Sequence, residues 1–330
     1  MKAAIVGIAG TALLPDEAGL FAAQPPAGII LFGRNISDAS QLGGLIADLR
    51  RVLSAGAVLV VDQEGGRVVR LRPPHWRSHP PAAAIGACFA ADRRAGLRAA
   101  WLSGALIGLE CRAAGFDVVC APVLDVCSPG AHDVIGDRAF AADPDSVARL
   151  GWAMAQGLLA AGIQPVMKHA PGHGRARVDS HLELPVVTET DLAADFSPFA
   201  RNMALPWAMS AHILYTSLDP SRPATFSPAV IGGIVRGRMG FRGVLVSDDL
   251  AMQALSGSPG ERAVAALAAG CDLALYCSGE LTASAAVLAA CPELGGAEAA
   301  RFDAARGMVR ARLRGLDPAA LAAERERLLA

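Results

Sequence analysis

The segment from Met167 to His181 reads MKHAPGHGRARVDSH and holds three of the chain's seven histidines, at 169, 173 and 181. Lys168, Asp179 and Ser180 accompany them. Asp179 and His181 lie two residues apart. A carboxylate beside an imidazole fixes its tautomer and favours its protonated form, which makes a proton-transfer device. Singly, each residue has a plainer reading: His169 as a satisfied core histidine, His173 as a loop cap, Asp179 as an Asx-turn residue. Gathered in one stretch they read as chemistry. His169, His173, His181 and Asp179 would also suffice to ligate zinc. The i, i+4 spacing of His169 and His173 brings two ligands together only on a helix, however, and Pro171 interrupts it. No metal and no cofactor are expected.

A second station is GVLVSDDL, Gly243 to Leu250, where an apolar run ends in two adjacent carboxylates. Neighbours in an extended segment point to opposite sides. One aspartate can therefore face a site while the other turns toward the next helix. The sequence predicts Asp249 as that helix's N-cap and leaves Asp248 as nucleophile, base or metal ligand. A third station, VLVVDQEGGRVVRL from Val58 to Leu71, ends a run at Asp62, turns through Gly65 and Gly66, and continues to Arg67 and Arg70. Carboxylate and guanidinium groups at fixed angles suit a polyhydroxylated ligand. IGDRAF adds Arg138, a weak signal by itself.

Eight short apolar runs hold these stations: AAIVGIAG, GIILFG, AVLVVD, FDVVCAPVLD, IQPVMKH, WAMSAHI, GVLVSDD and CDLALYC. Several are rich in Val and Ile without alternation, as strands buried on both faces are. Helical stretches are expected between them, among them 38–54, 93–114, 144–161, 227–239 and 261–269. Gly115, Gly162, Gly240 and Gly270 follow four of these, where a left-handed cap favours glycine. A further helix is expected over 297–313, and Pro318 opens a short last one. The alternation fits a (β/α)₈ barrel or an open doubly wound sheet. Asp62, Asp125, Lys168 with His169, His212 and Asp248 each close a different run. Only a barrel brings all those ends to one face. No Gly-x-Gly-x-x-Gly follows the first run, so a dinucleotide site has no support. The expected organisation is one (β/α)₈ catalytic domain over 1–330 with C-terminal helices.

Of the 330 residues, 53% are apolar and 18% charged, which allows a large core. A net charge of −1 argues against a nucleic-acid binder. No apolar run is long enough to span a membrane. The N-terminal run is broken by Gly7 and Gly10 and leads into Pro15, Asp16 and Glu17, unlike a secretion signal. Seven scattered cysteines without a Cys-x-x-Cys fit a reducing compartment without disulfides. The expectation is a cytoplasmic, monomeric protein with a small-molecule partner.

LFGRNI, VDQEGGRV, APVLDV, GDRAF, KHAPGHG, DSH and SDDLAM occur in the order seen in the β-N-acetylhexosaminidases of glycoside hydrolase family 3. Over roughly residues 1 to 290 the chain resembles the single-domain bacterial enzymes of peptidoglycan recycling. KHAPGHG followed by DSH is the specific part, since other branches of that family lack this histidine loop. The resemblance implies a retaining exo-β-N-acetylglucosaminidase. It assigns Asp248 as covalent nucleophile, His181 as general acid/base and Asp179 as its partner, with Asp62, Arg70, Arg138, Lys168 and His169 binding the sugar. Ala170 stands where the family usually has an aromatic, and Ala251 where it usually has serine. A histidine acid/base would also suit a phosphorylase on the same fold, and a β-glucosidase would share it. A metal-dependent amidohydrolase-like barrel is a further alternative, and a sugar-binding protein without catalysis is opposed by the presence of His181, Asp179 and Asp248. The segment 171–181 has few large apolar residues, so it is expected to be a mobile loop that closes over ligand.

Overall fold

A computed structural model describes residues 1–128, 130, 133–178 and 183–330. Its centre is a closed barrel of eight parallel strands. These are β1 (Lys2–Gly7), β2 (Pro26–Leu31), β3 (Val58–Val61), β4 (Val118–Val119), β5 (Gln164–Ala170), β6 (Trp207–Ser210), β7 (Val244–Asp249) and β8 (Leu273–Tyr276). Each predicted apolar run supplies one of them. Neighbours in sequence are neighbours in the sheet, and β1 pairs with β8 through Ala4 opposite Ala274 and Ile5 opposite Leu275 to close the ring.

The strand pleat sorts side chains into two layers of core. In β3, Val58 and Val60 pack inside the barrel with Ile5, Ile30, Val118, Val166, Val244 and Val246. Leu59 and Val61 face outward into a larger core under the helices. That double burial explains why the runs lack alternation. The ring comprises α1 (Pro15–Ala23), α2 (Ala39–Val52), α3 (Ala82–Ala91), α4 (Arg93–Ala114), α5 (Pro144–Ala161), α6 (Ala193–Ala200), a π-helical segment (Ala229–Arg238), α7 (Pro259–Ala269) and α8 (Leu281–Ala290). The helices α9 (Gly296–Arg312) and α10 (Pro318–Leu329) complete it. Gly115, Gly162 and Gly270 cap α4, α5 and α7 in the left-handed conformation.

Two details depart from expectation. Asp249 is the last residue of β7 and caps no helix: α7 begins at Pro259, capped by Ser258 with Glu261 closing the reciprocal pair. The helix expected over 227–239 is π-helical. At the N-terminal end of the barrel, Phe302 and Ala305 of α9 join the interior core. Phe302 meets Trp207 edge-on, ring centres 5.1 Å apart. This plug leaves the C-terminal face as the open end.

All seven cysteines are free thiols. Among the described residues, no helix is long and apolar enough to cross a membrane.

Candidate active site

The C-terminal ends of the strands surround a cavity of about 160 Å³ lined by Asp62, Glu64, Arg70, Arg138, Lys168, His169, His173, Asp248 and Asp249, with Phe32, Ile135 and Met252 among its apolar neighbours. That is below the roughly 300–1,000 Å³ of pockets for drug-sized ligands and suits one small polar ring.

Six of the eight site residues singled out in the sequence converge here: Asp62, Arg70, Arg138, Lys168, His169 and Asp248. The other two, Asp179 and His181, lie outside the described residues. Among the described residues, no group of His, Cys, Asp and Glu is arranged to hold a metal ion.

One wall is an ionic lattice. Lys168, near the end of β5, reaches Asp62 at 2.8 Å and Glu64 at 2.6 Å. Arg70 contacts the other oxygen of Asp62 at 3.1 Å. Arg138 forks onto Glu64 through Nε and Nη2, both at 2.8 Å. Burial alone would raise the carboxyl pKa values. Lys168 and Arg70 outweigh it at Asp62, and Arg138 and Lys168 bring Glu64 down to about 2. The same pairings hold Lys168 and Arg138 above their ordinary ranges despite burial. The wall is fully charged at neutral pH. Its donors and acceptors are fixed by one another, as preorganised recognition of hydroxyl groups needs.

Glu64 was not singled out in the sequence reading, although VDQEGG contained the signal. Residues two apart in an extended segment share a face, so Glu64 returns to the side of Asp62. The chain then turns sharply at Gly65, whose φ is +103° and where a Cβ would sit 2.3 Å from the Pro80 carbonyl oxygen. The two arginines beyond the turn diverge. Arg70 joins the lattice, while Arg67 leaves it for Asp137 at 2.9 Å.

The opposite wall carries Asp248, partly exposed on the cavity side at the end of β7. Its deep setting would raise its pKa. The His169 and His212 imidazoles and the Asp249 N–H, which donates at 2.8 Å, hold it below the usual range. It is a carboxylate at neutral pH, as a nucleophile must be. Asp249 ties β7 to β8 instead of capping a helix: its Oδ1 accepts from the Ala251 and Cys277 N–H groups, both at 2.9 Å. His212, fully buried, donates through Nε2 to the Asp249 carbonyl at 2.9 Å.

The start of the histidine loop is firmly seated, contrary to the expectation of little buried surface. His173, Gly174 and Ala176 are buried. The Tyr215 hydroxyl donates to the Gly172 carbonyl. Arg175 pairs with Asp195 at 2.7 Å. Gly174 lies so close to Val126 that a Cβ would fall 1.8 Å from its carbonyl oxygen. The expected absence of large apolar residues is real, but a tyrosine, an ion pair and backbone packing replace them. Burial, then the neighbouring His169, push His173 down to about 4, so it is neutral at pH 7.

A charged wall and the Asp248 carboxylate at the mouth of a parallel barrel form an arrangement suited to an enzyme acting on a small polyhydroxylated molecule. Residues 16–310 match the glycosyl hydrolase family 3 N terminal domain. A β-hexosaminidase of Xylella fastidiosa strain M23 is 41% identical over 284 residues, covering 84% of each chain. One from Bordetella avium is 39% identical over 83% of this chain and 80% of its own. Among solved structures, NagZ from Neisseria gonorrhoeae in complex with N-trifluoroacetyl-D-glucosamine superposes with a TM-score of 0.87 at 31% identity, covering 100% of this chain and 98% of that one. The chain belongs to glycosyl hydrolase family 3. It is a glycoside hydrolase of the β-N-acetylhexosaminidase kind.

Proposed function

We propose that the protein is a retaining exo-β-N-acetylglucosaminidase. It releases terminal β-linked N-acetylglucosamine from peptidoglycan fragments such as N-acetylglucosaminyl-1,6-anhydro-N-acetylmuramic acid, with or without peptide, as a cytoplasmic monomer. The observation that carries the reading is Asp248: an ionised carboxylate at a strand end, across a one-ring cavity from the lattice of Asp62, Glu64, Lys168, Arg70 and Arg138. The N-trifluoroacetyl-D-glucosamine complex of the gonococcal relative supports the sugar class.

In this reading Asp62, Arg70, Arg138, Lys168 and His169 hold the sugar hydroxyls. The Asp248 oxygen attacks the anomeric carbon while the His181 imidazolium gives its proton to the departing glycosidic oxygen. The bond to the aglycone breaks as the glycosyl–Asp248 ester forms. Neutral His181, oriented by Asp179, then takes a proton from water, whose oxygen displaces Asp248 and restores the original configuration. A histidine in place of the usual second carboxylate adds no negative charge beside the positively charged transition state.

The test is turnover of chromogenic β-N-acetylglucosaminide beside the matching β-glucoside, each with and without inorganic phosphate. Selective, phosphate-independent release of N-acetylglucosamine is expected. Preference for the glucoside, or a sugar 1-phosphate product, would overturn the reading.

A further inference from the structure

Asp125 has no role in the reading above, yet it is the most enclosed carboxylate beside the cavity. Its exposure is 0%. It lies beyond the end of β4, on a segment that continues alongside β5. The Lys168 N–H donates to the Pro122 carbonyl at 3.1 Å, and the Leu124 N–H donates to the Lys168 carbonyl at 2.7 Å. That register sets Asp125 opposite His169. Its two oxygens then divide their work. Oδ2 meets Nδ1 of His169 at 2.7 Å. Oδ1 accepts from the backbone N–H groups of His169 at 3.2 Å and His173 at 2.7 Å.

Every group around this carboxylate must donate. Backbone amides can do nothing else, and an ionised carboxylate cannot give a proton to the ring. The Asp125 carboxyl is held below its usual range: burial, the largest single influence, opposes this, and His169 and His173 together outweigh it. Nδ1 of His169 therefore carries a proton, and Nε2 is the nitrogen left for the cavity that His169 lines. The second contact has a different consequence. His173 begins the seated part of the loop that runs on toward Asp179 and His181, so the same carboxylate holds the base of that loop.

We infer that Asp125 is a positioning residue for both halves of the site: through Oδ2 it sets which nitrogen His169 offers the sugar, and through Oδ1 it anchors the loop leading to Asp179 and His181. This rests on the cavity being the sugar site.

Asp125→Asn separates the two functions. The two backbone donors require the amide oxygen on their side, which turns the amide nitrogen toward His169. Nδ1 must then accept, and its proton moves to Nε2. The loop anchor is kept while the ring's hydrogen-bonding pattern is reversed. Asp125→Ala removes both.

The measurement is ¹⁵N spectroscopy of histidine-labelled protein, with the His169 signals assigned by their loss in His169→Asn, joined to kinetics on a chromogenic β-N-acetylglucosaminide. A protonated Nδ1 is expected in the wild-type enzyme and an unprotonated one in Asp125→Asn. KM should rise about tenfold in Asp125→Asn with kcat within about threefold, the size of one misdirected hydrogen bond. Asp125→Ala should add a loss of about 10² in kcat from the displaced loop. An unprotonated Nδ1 in the wild-type enzyme overturns the inference without any variant having to fold. So does an unchanged KM in a folded Asp125→Asn. A wild-type enzyme that ignores this substrate overturns the sugar-site reading instead, and the nitrogen spectra still decide the role of Asp125 toward His169.

Discussion

The guanidinium of Arg138 grips the carboxylate of Glu64 through two hydrogen bonds, each 2.8 Å long, and both side chains are nearly buried. Glu64 also holds Lys168. Removing its charge leaves two buried cations, Arg138 and Lys168, with less negative charge to balance them. Breaking a buried pair in this way costs roughly 3–5 kcal/mol. Glu64→Gln should lower the melting temperature by several degrees and raise KM more than it lowers kcat. Unchanged thermal unfolding would show that the lattice tolerates the loss of this charge.

Acid should weaken the fold in two stages. His173 is depressed from 6.5 to about 4, so the unfolded chain takes up a proton first as pH falls. Its contribution is complete above pH 6.5 and is lost progressively toward pH 4. Glu64 is depressed from 4.5 to about 2, and its contribution is lost across that lower window. Melting temperatures between pH 8 and pH 3 should fall in both windows, and His173→Asn should flatten the upper one. A flat profile from pH 7 to 4.5 would contradict this.

Asp248→Ala should reduce kcat by on the order of 10⁴ or more, as loss of a nucleophile does elsewhere. A 2-deoxy-2-fluoro or 5-fluoro sugar should leave a stable ester, found by peptide mass spectrometry within Gly243 to Leu250. An inverted first product seen by NMR would exclude the double displacement.

Asp179→Ala and His181→Ala should each cost roughly 10²- to 10⁴-fold. If the two act as a unit, the double variant is little worse than His181→Ala. Good leaving groups should rescue glycosylation and leave hydrolysis slow. Fully multiplicative losses would mean two independent roles.

Dialysis against a chelator should leave the rate unchanged. Loss of activity restored by zinc would instead favour metal-dependent hydrolysis.

The barrel was legible because each buried strand announced itself as a short Val- and Ile-rich run, and the polar residue closing each run had only one face to reach. That logic placed Asp62, Lys168, His169 and Asp248 on one cavity. It faltered where a polar residue had two local readings. Asp249 looked like an N-cap because it follows a strand, yet Ser258-Pro-Gly-Glu261 spelled the true cap nine residues later. The anchors of the histidine loop were out of reach for another reason. Tyr215 meets Gly172 from 43 positions away, Asp195 meets Arg175 from 20, and Asp125 meets His173 from 48. Such contacts have no period and leave no local trace.

The α9 plug, with Phe302 set against Trp207, bears on the order of events. A barrel stopped at its floor has no back exit, so everything passes through a single mouth. In the proposed double displacement the aglycone must vacate that doorway before water can take its place, and the freed sugar leaves last by the way it came. Traffic of this kind makes the protein susceptible to being corked by its own product.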